Sequence, residues 1–395
     1  MPSRREFLKL SAFVSASALT PGFLRRLGPG QLPPGSKRLV IIQLSGGNDG
    51  LNTIVPFRDD RYYQARPALA IPAGEVLRIS DELAFNPALA PLRELYDQGW
   101  MSILSQVGYP NPDRSHFRSM DIWHSASGSG EHWQTGWLGR YLDAACAAGA
   151  PAHTVLELDE TLSLALRGEQ ISGLGLRDPQ QLARSTRDPW IQALSRTEPQ
   201  GPSELDFLYK TLTQTTASAE YLSSRLSVRG SAAEYPAQEL GRKLKLIASL
   251  ILSGAEPRVY YVSVPGFDTH VRQRGPHDRL LGQYAEAVAA FIRDLRQQGL
   301  LDDTLVLSFS EFGRRVAQNA GNGTDHGKAN CLFLMGGKLR KPGLFNGLPD
   351  LRTLDDGDLA WQIDFRQIYA SLLRDWLGAD DEAVLRGRFG RLALV

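Results

Sequence analysis

A chain of 395 residues that is 42% hydrophobic and 22% charged, with 38 glycines, has the composition of a globular protein long enough for one large domain or two modest ones. Its 44 Lys and Arg against 43 Asp and Glu leave a net charge of +1, so no basic field argues for nucleic acid and no acidic excess argues for disorder. Partners should be small or local. The two cysteines, Cys146 and Cys331, match no metal-binding spacing and read as buried free thiols rather than as one disulfide formed after export.

At the start, Ser3-Arg4-Arg5-Glu6-Phe7-Leu8-Lys9 precedes an apolar segment, residues 10–19, that is too short to span a bilayer. This order has the form of a twin-arginine export signal; the alternative is a soluble amphipathic helix. With the Pro- and Gly-rich run 28–35, residues 1–35 are expected to be signal and linker. The twin-arginine translocation machinery would then deliver residues 36–395 to the periplasm or the exterior. No small-residue cleavage site stands out, so cleavage and retention as a membrane anchor both stay open. No other stretch approaches the ~20 apolar residues a membrane helix needs, and the mature chain is expected to have no transmembrane span.

Residues 37–44 (KRLVIIQL) form a continuous apolar run of the kind found in the middle of a parallel sheet. It ends in SGGNDGLN, where glycines surround Asn48 and Asp49: a backbone held around a polar site, or a tight turn in which these two cap a helix. Residues 59–66 are polar, 87–98 predict a helix through Leu89, Leu92, Leu95 and Tyr96, and 100–107 predict a strand. Next comes GYPNPDRSHFRSMDIW, extended at its prolines, with a helix starting near Asp113 or Ser115. A hydroxyl at a helix N-terminus feels the positive end of the dipole, and Arg114 and Arg118 are placed to hold an oxyanion. Ser115 is therefore a nucleophile candidate, and equally a plain N-cap.

Residues 133–147 have helical period, and 152–158 and 162–166 read as strands or edge segments. The stretch 171–236 carries no nameable chemistry and reads as a helical insertion over one side of the sheet. An amphipathic helix over 237–252 stops at Gly254, and 258–264 (RVYYVSV) is β-rich. At its end lie Asp268 and His270, then His277, either a ligand or a helix-start residue, before a long helix over 280–298. The apolar run 305–309 delivers Ser310 and Glu311 at its C-terminal end, where open α/β sheets bind ligands. Beyond Arg314 and Arg315, a loop with Asn319, Gly321, Asn322 and Gly323 leads to Asp325 and His326. These two offer metal ligands, or they bond the backbone of a polar surface loop. Residues 331–335 predict a further strand and 365–377 a closing helix. Strand and helix alternate throughout, so the fold class is α/β with a mostly parallel sheet. If the strands are parallel neighbours, Asp49, Ser115, Asp268, His270, Glu311, Asp325 and His326 converge on one rim. Carboxylates with imidazoles suit a divalent Zn, Mn or Ca, and an oxygen-only shell Ca or Mg.

In this order, SRREFLK, LSGGNDGLN, NPDRSHFRSMDIW, GFDTH, SEFGRR and GTDHG make the chain resemble the exported family catalogued as domain of unknown function 1501, placed in the alkaline phosphatase and sulfatase-like superfamily. The resemblance implies a three-layer α/β sandwich and a metal-dependent hydrolase of phosphate or sulfate esters, acting on a small-molecule or polysaccharide substrate. It gives Asp49 the place of the first-strand metal aspartate and Ser115 that of the nucleophile, with Arg114 and Arg118 beside it. Asp268 and His270 take the place of a metal pair, Glu311 that of the acidic ligand after a late strand, and His326 that of the late histidine. Asn48, His116, His277, Arg314 and Asp325 complete the candidate set. Two features depart from the superfamily pattern: Glu311 is followed by Phe312 rather than His, and the spacing from Asp268 to His270 is short. The alternative function is an exported binding or assembly protein that keeps the fold without turnover.

Overall fold

The run RLVIIQL forms strand β1 (Arg38–Leu44), buried along its whole length. Val40, Ile42 and Leu44 enter one core and Leu39 and Ile41 another, as a strand covered on both faces requires. The computed structural model describes residues 32–146, 150–191 and 203–395, and their side chains except those of Cys146 and residues 203–210. The further sheet strands are β2 (Met101–Gly108), β3 (Val155–Glu157), β4 (Leu174–Gly175), β5 (Val259–Val264), β6 (Thr304–Phe309), β7 (Asn330–Met335), β8 (Gly343–Leu344) and β9 (Ile363–Asp364). They make a nine-stranded sheet in the order β8-β2-β7-β6-β1-β5-β3-β4, with β9 also on β2. β1 pairs in parallel with β5 and β6, and β3 with β5 and β4. β7 alone runs antiparallel, between β6 and β2. An antiparallel neighbour needs no helical crossover, so residues 310–329 loop over the rim where β1 and β5 also end.

The helices that build the flanking layers include α1 (His116–Ser125), α2 (Trp137–Cys146), α3 (Ser203–Val228), α4 (Glu239–Leu252), α5 (Arg274–Gln297) and α6 (Phe365–Ser371). Leu244, Ile247 and Ile251 of α4 join Leu281, Tyr284 and Val288 of α5 against one face. Ile122 and Trp123 of α1, Leu138 and Leu142 of α2, and Phe365 and Tyr369 of α6 cover the other. The fold is a three-layer α/β/α sandwich with a mostly parallel central sheet, as expected.

Several local expectations are corrected. Residues 162–166 form no strand: Leu164–Leu166 is a single 3-10 turn, because the Ser163 amide donates to Glu157 Oε2 at 2.7 Å and turns the chain back. Over 87–98, Pro91 lacks an N–H, and a 3-10 segment (Pro87–Leu92) precedes a short α-helix (Arg93–Asp97). Over 365–377, the α-helix gives way to a π-helical Leu372–Leu377. Helix α5 begins six residues before the expected 280, at Arg274, with Pro276 tolerated in the first turn; this puts His277 inside the helix. The stretch 171–236 holds β4, the helix Pro179–Ser185 and α3. The expected export motif, residues 3–19, lies outside the described residues, among which no helix is long and apolar enough to cross a membrane. Cys331 is a free thiol, pushed up to about 12 by burial; the Cys146 side chain is outside the described set.

Candidate metal centre

Three loops leave the sheet side by side, after β1, β5 and β6, and glycine lets them touch. Gly46 and Gly47 have φ of +116° and +73°, and a Cβ on Gly46 would stand 2.4 Å from the backbone nitrogen of Asp268. No other residue fits there. The Gly46 amide donates to Glu311 Oε1 at 2.8 Å, and the Asn48 amide to the Ser310 hydroxyl at 2.9 Å.

At the front of this junction, three imidazoles surround one carboxylate oxygen. Asp268 Oδ1 lies 3.3 Å from His116 Nε2, 2.9 Å from His270 Nε2 and 3.2 Å from His326 Nε2. Each ring is held from behind through Nδ1: His116 by Glu311 Oε1 at 2.9 Å, His326 by the Arg114 carbonyl at 2.7 Å, and His270 by Asp325 Oδ1 at 3.3 Å. A carbonyl only accepts, so His326 Nδ1 carries its hydrogen and a neutral ring turns the Nε2 lone pair inward. Histidines that ligate metals are oriented in this way. His270 and His326 bring Nε2 to Nε2 at 2.9 Å, and two lone pairs at that distance need a proton or a cation between them. Tetrahedral zinc, with Zn–N of about 2.0–2.1 Å, spaces its ligands by roughly 3.3 Å, close to what is found. The ligand atoms of His116, Asp268 and His326 all lie within 4.8 Å of one another. With the Asp268 side chain 47% exposed, one side of the cluster stays open to solvent.

The electrostatics fit the same picture. Burial works against the Asp268 carboxylate, but the hydrogen bond and the charge of Arg314 outweigh it and hold its pKa below the usual range. The bond to Glu311 raises His116, whereas burial lowers His326. Asp325 is held low, chiefly by Asn319.

Behind the imidazoles, Arg314 is fully buried and knits the loops together. Nε donates to the Gly47 carbonyl at 2.6 Å, Nη1 to Thr324 O at 3.0 Å, and Nη2 to Phe267 O at 2.9 Å and Asp268 Oδ1 at 2.8 Å, with a further contact to Gly46 O. Deeper still, Asp49 reaches the same rim but is engaged elsewhere: Arg66 Nη1 pairs with its Oδ2 at 2.6 Å with both side chains buried, and the Gln273 amide bonds the same oxygen. Asn48 Oδ1 is 2.9 Å from His277 Nε2, and burial lowers the pKa of that imidazole. Asn48, Asp49 and His277 thus form a layer behind the cluster.

Ser115 is the N-cap of α1, yet its hydroxyl makes no capping bond; it stands exposed beside His116. The two flanking arginines are committed. Arg114 pairs with Asp356 at 3.0 Å and with Asp358, and Arg118 donates to the carbonyls of Gly128 at 3.2 Å, Ser129 at 2.9 Å and Glu131. Sequence reasoning did not reach Arg66 or Gln273, which sit in no motif. The available signal was indirect: a buried aspartate demands a cation from somewhere.

Burial raises the pKa of Asp49, but the Arg66 charge and hydrogen bond overcome it, so the carboxyl is lowered. Its contribution to stability is therefore present above the ordinary carboxylate value and lost as pH falls through the lowered one. Arg66→Ala should cost about 3–5 kcal/mol by leaving a buried charge unpaired. With Arg66 gone, only the Gln273 hydrogen bond and the nearby His277 oppose desolvation, Asp49 goes up, and the variant should lose stability as pH rises, the reverse of the parent. Urea melts across the acid-to-neutral range check both the size and the sign.

Among solved structures, the chain is similar to the PsFucS1 sulfatase from Pseudoalteromonas sp., at 12% identity over 99% of this chain and 75% of that one, with a TM-score of 0.43. It is also similar to a protein in the alkaline phosphatase superfamily from Vibrio parahaemolyticus, at 12% identity over 99% and 78% with a TM-score of 0.39. A third is the C-terminal periplasmic domain of EcEptC from Escherichia coli in complex with Zn, at 10% identity over 78% and 76% with a TM-score of 0.37. No curated protein matches by sequence. A family model matches residues 100–392, from β2 through all three histidines of the cluster, and the chain belongs to the family described as protein of unknown function (DUF1501).

Proposed function

We propose that this chain is an exported metal-dependent hydrolase of the alkaline phosphatase and sulfatase-like type, acting on a phosphate or sulfate ester of a small molecule or polysaccharide. The observation that carries the reading is the set of three imidazoles, each anchored through Nδ1, whose Nε2 atoms meet at Asp268 Oδ1. Nitrogen ligands with one carboxylate suit zinc first, manganese next, and calcium or magnesium least. Asp268, His116, His270 and His326 would hold the ion, which when bound supplies a Lewis acid for the ester oxygens. Glu311 and Asp325 orient rings rather than ligate, and Arg314 adds a fixed positive charge beside Asp268. Ser115, exposed at the start of α1 with no capping bond, is the attacking hydroxyl: its oxygen bonds to phosphorus or sulfur as the P–O or S–O bond to the alcohol breaks, a proton passes to the departing alcohol, and water then hydrolyses the phosphoryl- or sulfuryl-serine ester to free phosphate or sulfate. Export by the twin-arginine route, to the periplasm or beyond, rests on the SRREFLK start.

A second reading, an exported binding or assembly protein, is favoured by one specific observation: Arg114 and Arg118 are both engaged, so neither is free to clamp an oxyanion beside Ser115. Elemental analysis and turnover of aryl phosphates and sulfates separate the two. The hydrolase reading expects one divalent ion per chain and a loss of at least about 10³-fold in kcat for Ser115→Ala. Turnover unchanged in both Ser115→Ala and His326→Ala rejects it. A bound ion with no turnover on either ester class supports the second reading.

A further inference from the structure

Beside the metal cluster, and sharing His116 with it, lies a cavity of about 550 Å³ at the C-terminal ends of β1, β5 and β3. Its floor consists of Gln43, Tyr261 and Glu157, which are 1%, 1% and 3% exposed. Gln43 Oε1 accepts from the Tyr261 hydroxyl and lies 3.1 Å from His124 Nε2. Gln43 Nε2, in contrast, is buried with no partner among the described residues, in a residue that lines this polar chamber, a state that buried polar groups rarely tolerate. Burial pushes the Glu157 carboxyl up to about 7, so near neutral pH it carries a proton in about half of the molecules and can donate as well as accept. Arg118 and Arg167 are balanced by Asp121 and Asp159 around the wall, which leaves no net positive field for a polyanion. An acyl chain would strand the polar floor. Phe117, 87% exposed, adds an apolar surface to the lining.

We propose that this cavity binds a neutral sugar ring, with Gln43 and Glu157 engaging ring hydroxyls and Phe117 covering a C–H face. Closely placed donors and acceptors beside an aromatic edge, in a chamber of this volume, match a polyol with apolar faces. The inference rests on the ester-hydrolase reading only for the ring's role as the alcohol part of the substrate.

The test is calorimetric titration of the full chain with uncharged methyl hexopyranosides (gluco, galacto and manno), which carry no ester and need no turnover. At least one should bind with a Kd of about 1–100 mM. Glu157→Ala and Phe117→Ala should each weaken it by roughly fivefold or more, and the second, at so exposed a position, leaves folding intact. His326→Ala should bind it as the parent does, so failure of the metal chemistry leaves this result standing. If none of the three glycosides binds up to about 100 mM, or if Phe117→Ala and Glu157→Ala both bind like the parent, the proposal falls.

Discussion

Asp268→Asn is expected to lower the affinity for zinc by at least about 100-fold, a loss of roughly 3 kcal/mol, with little effect on folding. Asp268 Oδ1 is the point on which three Nε2 atoms converge at 2.9 to 3.3 Å, and it is the one anionic member of the His116, Asp268 and His326 group. Asparagine keeps a carbonyl oxygen for Arg314 Nη2, which now lies 2.8 Å from Oδ1, so the buried guanidinium retains an acceptor and the loops stay joined. What disappears is charge. His270→Ala removes a neutral ligand with a 39% exposed side chain and should cost less, about 10- to 100-fold. Glu311→Gln changes the group behind His116, which also accepts the Gly46 amide, and should fall in the same range. Competition against a chromogenic chelator orders the three. If Asp268→Asn binds zinc as the parent does, the ion sits elsewhere.

That ordering shows where sequence and structure part company. The alternating apolar runs announced β1, β5, β6 and β7, because a strand buried on both faces is written as a continuous hydrophobic stretch. Asp268, His270 and His326 were visible for a related reason, since polar residues directly after such strands must lie on one rim. Spacing says which side chains reach the rim, but not which of them neutralise one another there. Asp49 arrives with the rest and is taken by Arg66, a residue in a polar stretch with no periodicity to mark it. His116 was overshadowed by its neighbour Ser115, because a helix start draws attention to the hydroxyl rather than to the first helical residue. Glu311 leaves β6 where a ligand is expected, and bonds Gly46 N and His116 Nδ1 instead. These are choices of tertiary contact, made between loops as much as 268 residues apart.

Arg314→Ala should destabilise the protein more than any single loss of a metal ligand, by about 3–5 kcal/mol. Its guanidinium is fully buried and satisfies the carbonyls of Gly46, Gly47, Phe267 and Thr324 as well as Asp268. Removing it leaves those acceptors without donors in a place water reaches poorly, at about 1–3 kcal/mol for each one that finds no new partner. The penalties are not additive, because the loops can relax together. Arg314→Lys keeps the charge but not the planar fork. One ammonium cannot face three loops at once, so most of the loss should persist. This separates geometry from charge: if lysine restores the parent's urea midpoint, the positive charge alone supports the junction, and if it does not, the fork does. Zinc titration of the same two variants then shows whether Arg314 also limits the site to a single ion. A guanidinium at 2.8 Å from Asp268 Oδ1 stands where a second cation would need that carboxylate. The parent and Arg314→Lys should therefore each take up one ion, and a second ion in the parent would mean that Arg314 yields its place.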